Sequence, residues 1–207
     1  MQRSNREIMQ GSNSGFTLIE LIITLAVAAV VLTLAAPALR DTLIRNRVAT
    51  EINSLAATLN QGRSEAIKRG RSVTLCSSSN GTSCCSSSNG TSCAKNWQNG
   101  WILFEDSNAD GTFDSSDETA IKVSSGFTSS DTLAYAASTA TSSYVRFKSN
   151  GFSKEAGSFK LCESGSAVKY ARALYISTTG RIRLSSDSDN DGVHDDGLAS
   201  PNELKCS

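Results

Sequence analysis

Between Gly15 and Arg40 the chain reads FTLIELIITLAVAAVVLTLAAPAL, twenty-four residues with one ionisable side chain, Glu20. As an α-helix this stretch is about 36 Å long, enough to cross a hydrocarbon layer of about 30 Å. No second segment has that length and character, so the chain is read as single-pass. A carboxylate at bilayer depth costs about 3 kcal/mol even on lenient insertion scales, which makes Glu20 a functional candidate by default. A removable secretory signal predicts a small-residue cleavage site after the apolar run. The candidate there, Leu34-Ala-Ala-Pro37, sets proline beside the bond to be cut and argues against removal. Ahead of the run is a polar leader, MQRSNREIMQGSNSG, whose Arg3 and Arg6 favour a cytoplasmic N-terminus.

Beyond the apolar run the hydrophobic period stays helical. Ile44, Val48, Ile52, Leu55, Leu59 and Ile67 follow three-to-four spacing, with Arg40, Arg45, Arg47, Glu51, Arg63 and Lys68 mostly off the stripe. The spacing predicts an amphipathic continuation over 40–70, ended by Gly70, with a kink or local melting at Pro37. After Gly70 the period shortens. Arg71–Cys76, Trp101–Phe104, Ala120–Val123, Tyr144–Phe147, Ser158–Cys162, Val168–Ile176 and Arg181–Leu184 read as about seven strands between Gly, Ser, Asn and Asp turns. Ser124–Thr132 and Ser138–Ser143 read as surface loops. One long helix and a set of short strands make an α+β protein.

The residues around the apolar run carry a specific resemblance. Gly15-Phe16-Thr17-Leu18-Ile19-Glu20 resembles the class III signal of type IV pilins and type II secretion pseudopilins. The resemblance implies cleavage after Gly15 by an inner-membrane prepilin peptidase, N-methylation of Phe16, and a filament in which the apolar helices bundle. It divides the chain into a leader over 1–15, a membrane or filament-core helix over 16–39, the amphipathic helix over 40–70 and a periplasmic β-rich head over 71–207. Glu20 then acquires a role. Cleavage leaves a cationic amine on Phe16, and a neighbour's Glu20 can pair with it, so that neither charge is isolated in hydrocarbon. The head narrows the branch. A first strand ending in Cys76, then Asn99-Gly-Trp-Ile-Leu-Phe-Glu-Asp-Ser-Asn-Ala-Asp-Gly111, Val145-Arg-Phe-Lys-Ser-Asn-Gly151, Phe159-Lys-Leu-Cys162 and Ile176-Ser-Thr-Thr-Gly-Arg-Ile-Arg183 is similar to the GspH/FimT family of minor pilins and pseudopilins.

Six cysteines behind a membrane-directed segment favour an oxidising compartment. Four lie in a perfect tandem repeat, Cys76-SSSNGTS-Cys84 followed by Cys85-SSSNGTS-Cys93, each copy with Asn-Gly at its middle. Local bridges Cys76–Cys84 and Cys85–Cys93 are the first reading, and a nested Cys76–Cys93 pair, which forces a vicinal Cys84–Cys85 bond, is the second. A metal site lacks histidine and Cys-x-x-Cys spacing. Cys162 and Cys206 remain, and their pairing ties the C-terminal tail to a strand, as periplasmic pilins often do.

The 20 basic and 20 acidic residues cancel, so net charge points to no partner, but 11 of the acids lie in two runs with calcium-loop spacing. Asp106, Asn108, Asp110, Asp114 and Asp117 occupy loop positions 1, 3, 5, 9 and 12, and Asp187, Asp189, Asp191 and Asp195 repeat the first nine. Neither has the flanking helices of an EF-hand, and acidic loops held by Asx turns are the alternative. No cofactor is required, with calcium the candidate ion. Gly180-Arg181-Ile182-Arg183 sets two guanidiniums on one strand face, suited to phosphate. In FimT-like proteins such a motif is associated with DNA binding in natural transformation, and Lys169 and Arg172 on the preceding strand are candidates to extend the patch. His194, the single histidine, has no evident nucleophile partner, and no Gly-x-Ser-x-Gly elbow is present, so an enzyme is not expected. The expected work is that of a structural minor pilin, partnered by other pilins in an initiating or tip complex. The alternatives are a DNA-binding subunit and the corresponding pseudopilin of type II secretion.

Overall fold

The computed structural model describes residues 15–85, 96–139, 143–165, 167–196 and 203–206, and divides into two compact units, Met1–Thr42 and Leu43–Ser207. Helix α1, Leu18–Arg69, supplies the regular structure among the described residues of the first unit and the start of the second. In the first unit its apolar side chains from Leu18 to Leu32 are exposed on every side, and its most hydropathic window is long enough to cross a membrane. Helical geometry continues through Pro37, where the sequence predicts a kink or local melting. Proline removes one donor from the ladder, and an apolar environment makes breaking the remaining backbone bonds costly.

In the second unit one face of α1 is the floor of the core. Ile44, Val48, Ile52, Leu55 and Leu59 are buried as their spacing predicts, and the stripe then passes to Ala66. Ile67, expected on the stripe, is 53% exposed. The helical period carries the buried face from Leu59 through Gly62 to Ala66, leaving Ile67 one position off it. Small residues belong there: a Cβ on Gly62 would stand 2.8 Å from Leu103 Cδ1, so the sheet approaches the helix closely at that level.

Two antiparallel four-stranded sheets pack on this helix. The first has the order β3-β2-β1-β5, from Ala120–Ser125, Gly100–Glu105, Val73–Ser77 and Tyr144–Phe147. The second has the order β4-β6-β7-β8, from Thr132–Ala137, Gly157–Cys162, Arg172–Ile176 and Ile182–Leu184. Strand β2 is buried on both faces, which explains its unbroken apolar run. Trp101 and Leu103 join the helix-side core, whereas Ile102 and Phe104 join a smaller cluster with Cys76, Phe113 and Tyr144. Trp97, on a single 3-10 turn, completes the main core edge-on to Phe159, 4.8 Å between ring centroids.

Two assignments change. Strand β4, Thr132–Ala137, takes the last residue of the first expected loop and runs up to the second, and Ser124 and Ser125 of that loop end β3, so the described residues hold eight strands. The expected strand Val168–Ile176 is a 3-10 turn, Val168–Tyr170, followed by β7. The Cys76–Cys84 and Cys162–Cys206 disulfides are both formed. The expected Cys85–Cys93 pair cannot be described, because Cys93 lies outside the described residues.

Candidate functional site

The residues expected to be processed and to pair in assembly open the described chain. Gly15 and Phe16 precede α1, with Phe16 84% exposed, and Thr17 occupies the N-cap position. Thr17 Oγ1 accepts a hydrogen bond from the Glu20 backbone N–H at 3.2 Å, while its carbonyl accepts from Leu21 N at 3.1 Å. Thr-x-x-Glu at a helix start is the sequence pattern of a capping box. Glu20 is thus an N3 residue whose charge suits the helix N-terminus, in addition to its spacing from Phe16. Thr17 is the participant that the sequence argument omits, although Thr three positions before Glu is the signal for it.

The arginine motif sits on the β7–β8 hairpin. Ser177 N donates to Arg181 O and Gly180 N to Ser177 O, closing the turn. Arg181 just precedes β8 and Arg183 lies within it, both exposed, as the alternation predicts. Strand pairing places Arg183 opposite Tyr175, and its guanidinium rests 5.3 Å from the Tyr175 ring centroid. The expected extension of the patch does not form around them. Arg172, three positions before Tyr175 on β7, points to the opposite sheet face. It is half-buried, donates to the Ala171 carbonyl at 2.8 Å, and has its pKa lowered by burial and by nearby Arg45. Lys169 is on the 3-10 turn, not a strand, with its ammonium 4.7 Å above the Tyr170 ring. Arg45 approaches the same ring at 5.7 Å, so Lys169 and Arg172 belong to a cluster on the helix side.

The two acidic loops differ. In the first, Asp106 is buried and engaged: Oδ2 accepts from Arg146 Nε at 3.0 Å and Thr74 Oγ1 at 2.6 Å, and Oδ1 accepts from Asp110 N at 3.1 Å. Asn108, Asp110 and Asp114 cap their own turns by accepting from Asp110, Thr112 and Ser116 backbone N–H groups. Glu118, absent from the expected ligand set, closes the loop by accepting from Ser107 and Asp114 N–H. Burial raises its pKa against those bonds. Asp106, Asn108, Asp110 and Asp114 therefore form a loop of Asx turns anchored on Arg146, and among the described residues no three carboxylates of this loop gather within 4.8 Å of one another. In the second loop Asp187, Asp189 and Asp191 bring one carboxylate oxygen each within 4.8 Å of one another, a donor set of the type hard cations take. Asp195 is apart from them, its carboxylate accepting from Ser188 N and Oγ. Burial opposes ionisation of Asp187, but N–H donors led by Gly192 outweigh it and hold its pKa below the ordinary value. His194 Nδ1 contacts Ser185 Oγ at 2.9 Å, and burial, reinforced by Arg172, lowers its pKa.

Comparison with known proteins agrees with both halves of the chain. The family described as type II transport protein GspH matches residues 51–194, and the prokaryotic N-terminal methylation motif matches residues 11–36. No curated protein matches the chain. Among solved structures, the type IV minor pilin FimU of Pseudomonas aeruginosa is similar with a TM-score of 0.51 and 23% identity, covering 69% of this chain and 90% of FimU. The minor pseudopilin EpsH from the type 2 secretion system of Vibrio cholerae follows with a TM-score of 0.47 and 10% identity, covering 69% and 99%. With a family match over most of the head and a methylation motif where the apolar helix begins, the chain belongs to the GspH family of minor pilins and pseudopilins.

Proposed function

We propose that the chain is a minor type IV pilin that joins other minor pilins in the complex initiating the filament or capping its tip. The observation that carries this reading is the start of α1: a run of exposed apolar side chains with one carboxylate, Glu20, near its first turn. Such a surface needs lipid before assembly and neighbouring helices after it. Prepilin peptidase cleavage after Gly15 supplies the amine at Phe16 that Glu20 of an adjacent subunit pairs with. The head lies on the periplasmic side, since Arg3 and Arg6 hold the leader in the cytoplasm. The pilus is the first reading and the pseudopilus of type II secretion, the system named in the matched family's description, is the alternative. As expected of a family of structural subunits, the work is assembly and not catalysis. Glu20→Ala is expected to leave cleavage intact, seen as the mature-length band, while reducing the subunit in sheared filaments at least tenfold. Wild-type levels in filaments overturn the pairing.

A second reading rests on Arg181 and Arg183, which are adjacent and exposed on one hairpin. They fit two phosphates of a DNA backbone, and Tyr175 beneath Arg183 orients its guanidinium. Replacing both by Gln is expected to weaken duplex binding by the full chain in detergent at least tenfold at low salt. It also lowers the slope of log affinity against log salt by about 2. Unchanged gel shifts and slope remove these arginines from any such role.

A further inference from the structure

Arg63 of α1 lies where turns from the two sheets meet. The turn after β5 is closed by Gly151 N donating to Lys148 O and Lys148 N donating to Phe152 O, both at 2.8 Å. Ser153 N ties it to the β7–β8 turn by donating to Thr178 O at 3.1 Å. The glycines of the two turns touch: a Cβ on Gly180 would strike the Gly151 carbonyl oxygen and stand 3.2 Å from Arg63 Nε, and one on Gly151 would stand 3.4 Å from the same nitrogen. The Arg63 side chain therefore runs along the seam between the turns. Its Nε is buried and without a hydrogen-bond partner among the described residues. The residue as a whole is only half-buried, and its two Nη groups are not sealed with Nε, so they stay open to water.

No acid answers this charge among the described residues. The helix neighbours three and four positions away, Leu59, Asn60, Ala66 and Ile67, carry none. Glu65 is held by Arg69 at 2.6 Å and lies 3.8 Å from Lys68. Glu155, the acid nearest to Phe152 along the chain, is buried and accepts from Thr139 Oγ1. Two further cations stand on the turns themselves: Lys148 and Arg181 are both exposed, and neither has an ion pair among the described residues. Phe152, on the same turn as Lys148, is 48% exposed. Three cations around one seam, beside an exposed ring, suit a ligand whose phosphates meet the charges while a base stacks on the ring. A duplex keeps its bases stacked on one another, so the ring favours unpaired ones.

We propose that Arg63, Lys148 and Arg181 form one phosphate-binding surface for a single strand of nucleic acid, with a base stacked on Phe152. The proposal rests on the nucleic-acid reading of Arg181 and carries the strand from the hairpin across the seam to α1. The test follows a labelled oligothymidylate by fluorescence anisotropy, with the full chain in non-ionic detergent. Arg63→Gln and Lys148→Gln, with Arg181 and Arg183 left in place, are each expected to weaken binding at least threefold at low salt. Each also lowers the slope of log affinity against log salt by about 0.7. Arg63→Lys, which restores the charge, is expected to keep the wild-type slope; behaviour like that of Arg63→Gln assigns the loss to a disturbed seam and overturns the contact. Phe152→Leu is expected to weaken the single strand at least fivefold without changing the slope, and to leave binding of a duplex within twofold. Binding that is lost when Arg181 and Arg183 are both replaced, yet is indifferent to Arg63→Gln and Lys148→Gln, overturns the seam and leaves the hairpin reading. No binding by the wild type overturns both. Indifference to Phe152→Leu, or an equal loss on the duplex, overturns the single-strand ligand. Polyglutamate that competes as well as oligothymidylate at equal charge makes an acidic protein chain the occupant and overturns nucleic acid.

Discussion

Gly180 is held at φ +75°, and a Cβ there would stand 2.0 Å from the Gly151 carbonyl oxygen, itself on a glycine at φ +78°. Backbone cannot move aside as a side-chain tip can, so this position requires glycine for space as well as conformation. Gly180→Ala is expected to destabilise the head by about 2–4 kcal/mol, read as a lower denaturant midpoint with unchanged slope, and to displace Arg181. The glycine of the arginine motif is thus a structural requirement that sets where the arginines stand. Asp106 shows the opposite case. Its spacing reads as the first ligand of a calcium loop, yet its oxygens are taken by Arg146, Thr74 and two backbone N–H groups. Arg146 is 40 residues away and appears in the sequence as one more arginine of a strand. Local spacing reports which oxygens are near each other; it says nothing of a distant cation that claims them.

Among elements, α1 and most strands are legible because each buries a face with a clean period. β5 is assigned over the same residues as its apolar alternation, β2 is extended by one residue at each end and β6 by one at its start. β4 escapes a pattern search because its sequence, TLAYAA, buries Leu133 and half-buries Tyr135 while alanines occupy much of the rest, too little contrast to mark a face. It exists because β6 offers an edge and Tyr135 stacks against Trp97 and Phe159. The tail is another tertiary element: Leu204 is buried with Ala171 and Ala173, and Cys206 joins Cys162 across 44 residues. Replacing Cys162 and Cys206 by Ser is expected to cost about 2–4 kcal/mol in the oxidised protein, with most of the loss in unfolding midpoint reproduced by mild reduction of the wild type. Equal midpoints for the two proteins before reduction would show that the tail is held by packing alone.

At the scale of the whole molecule, assembly and stability draw on the same helix at different places. Glu51 is raised to about 6 from an ordinary 4.5, by burial first and by Asp131 second, with Ser129 and Arg47 opposing. Its protonated form is favoured by folding, so the stabilisation is fully present below pH 4.5 and lost as pH rises through 6. That shift corresponds to at most about 2 kcal/mol, or about 1 kcal/mol once partial contact with water is allowed for. Between about pH 4 and pH 7, Glu51→Gln is expected to gain stability over the wild type by that amount, measured by denaturation at each pH. A constant difference would mean that Glu51 is not strained by its charge. The sequence by itself determined the long apolar helix, the N-terminal methylation motif that precedes and opens it, the α+β class and the Cys76–Cys84 bridge, because each depends on residues close together in the chain. Only the tertiary structure decided that Arg172 leaves the Arg181–Arg183 face, that Asp106 serves Arg146, and that Arg63 lies against the contact between Gly151 and Gly180. Those outcomes depend on strand pairing and on which distant charge reaches a carboxylate first, and neither is written in local spacing.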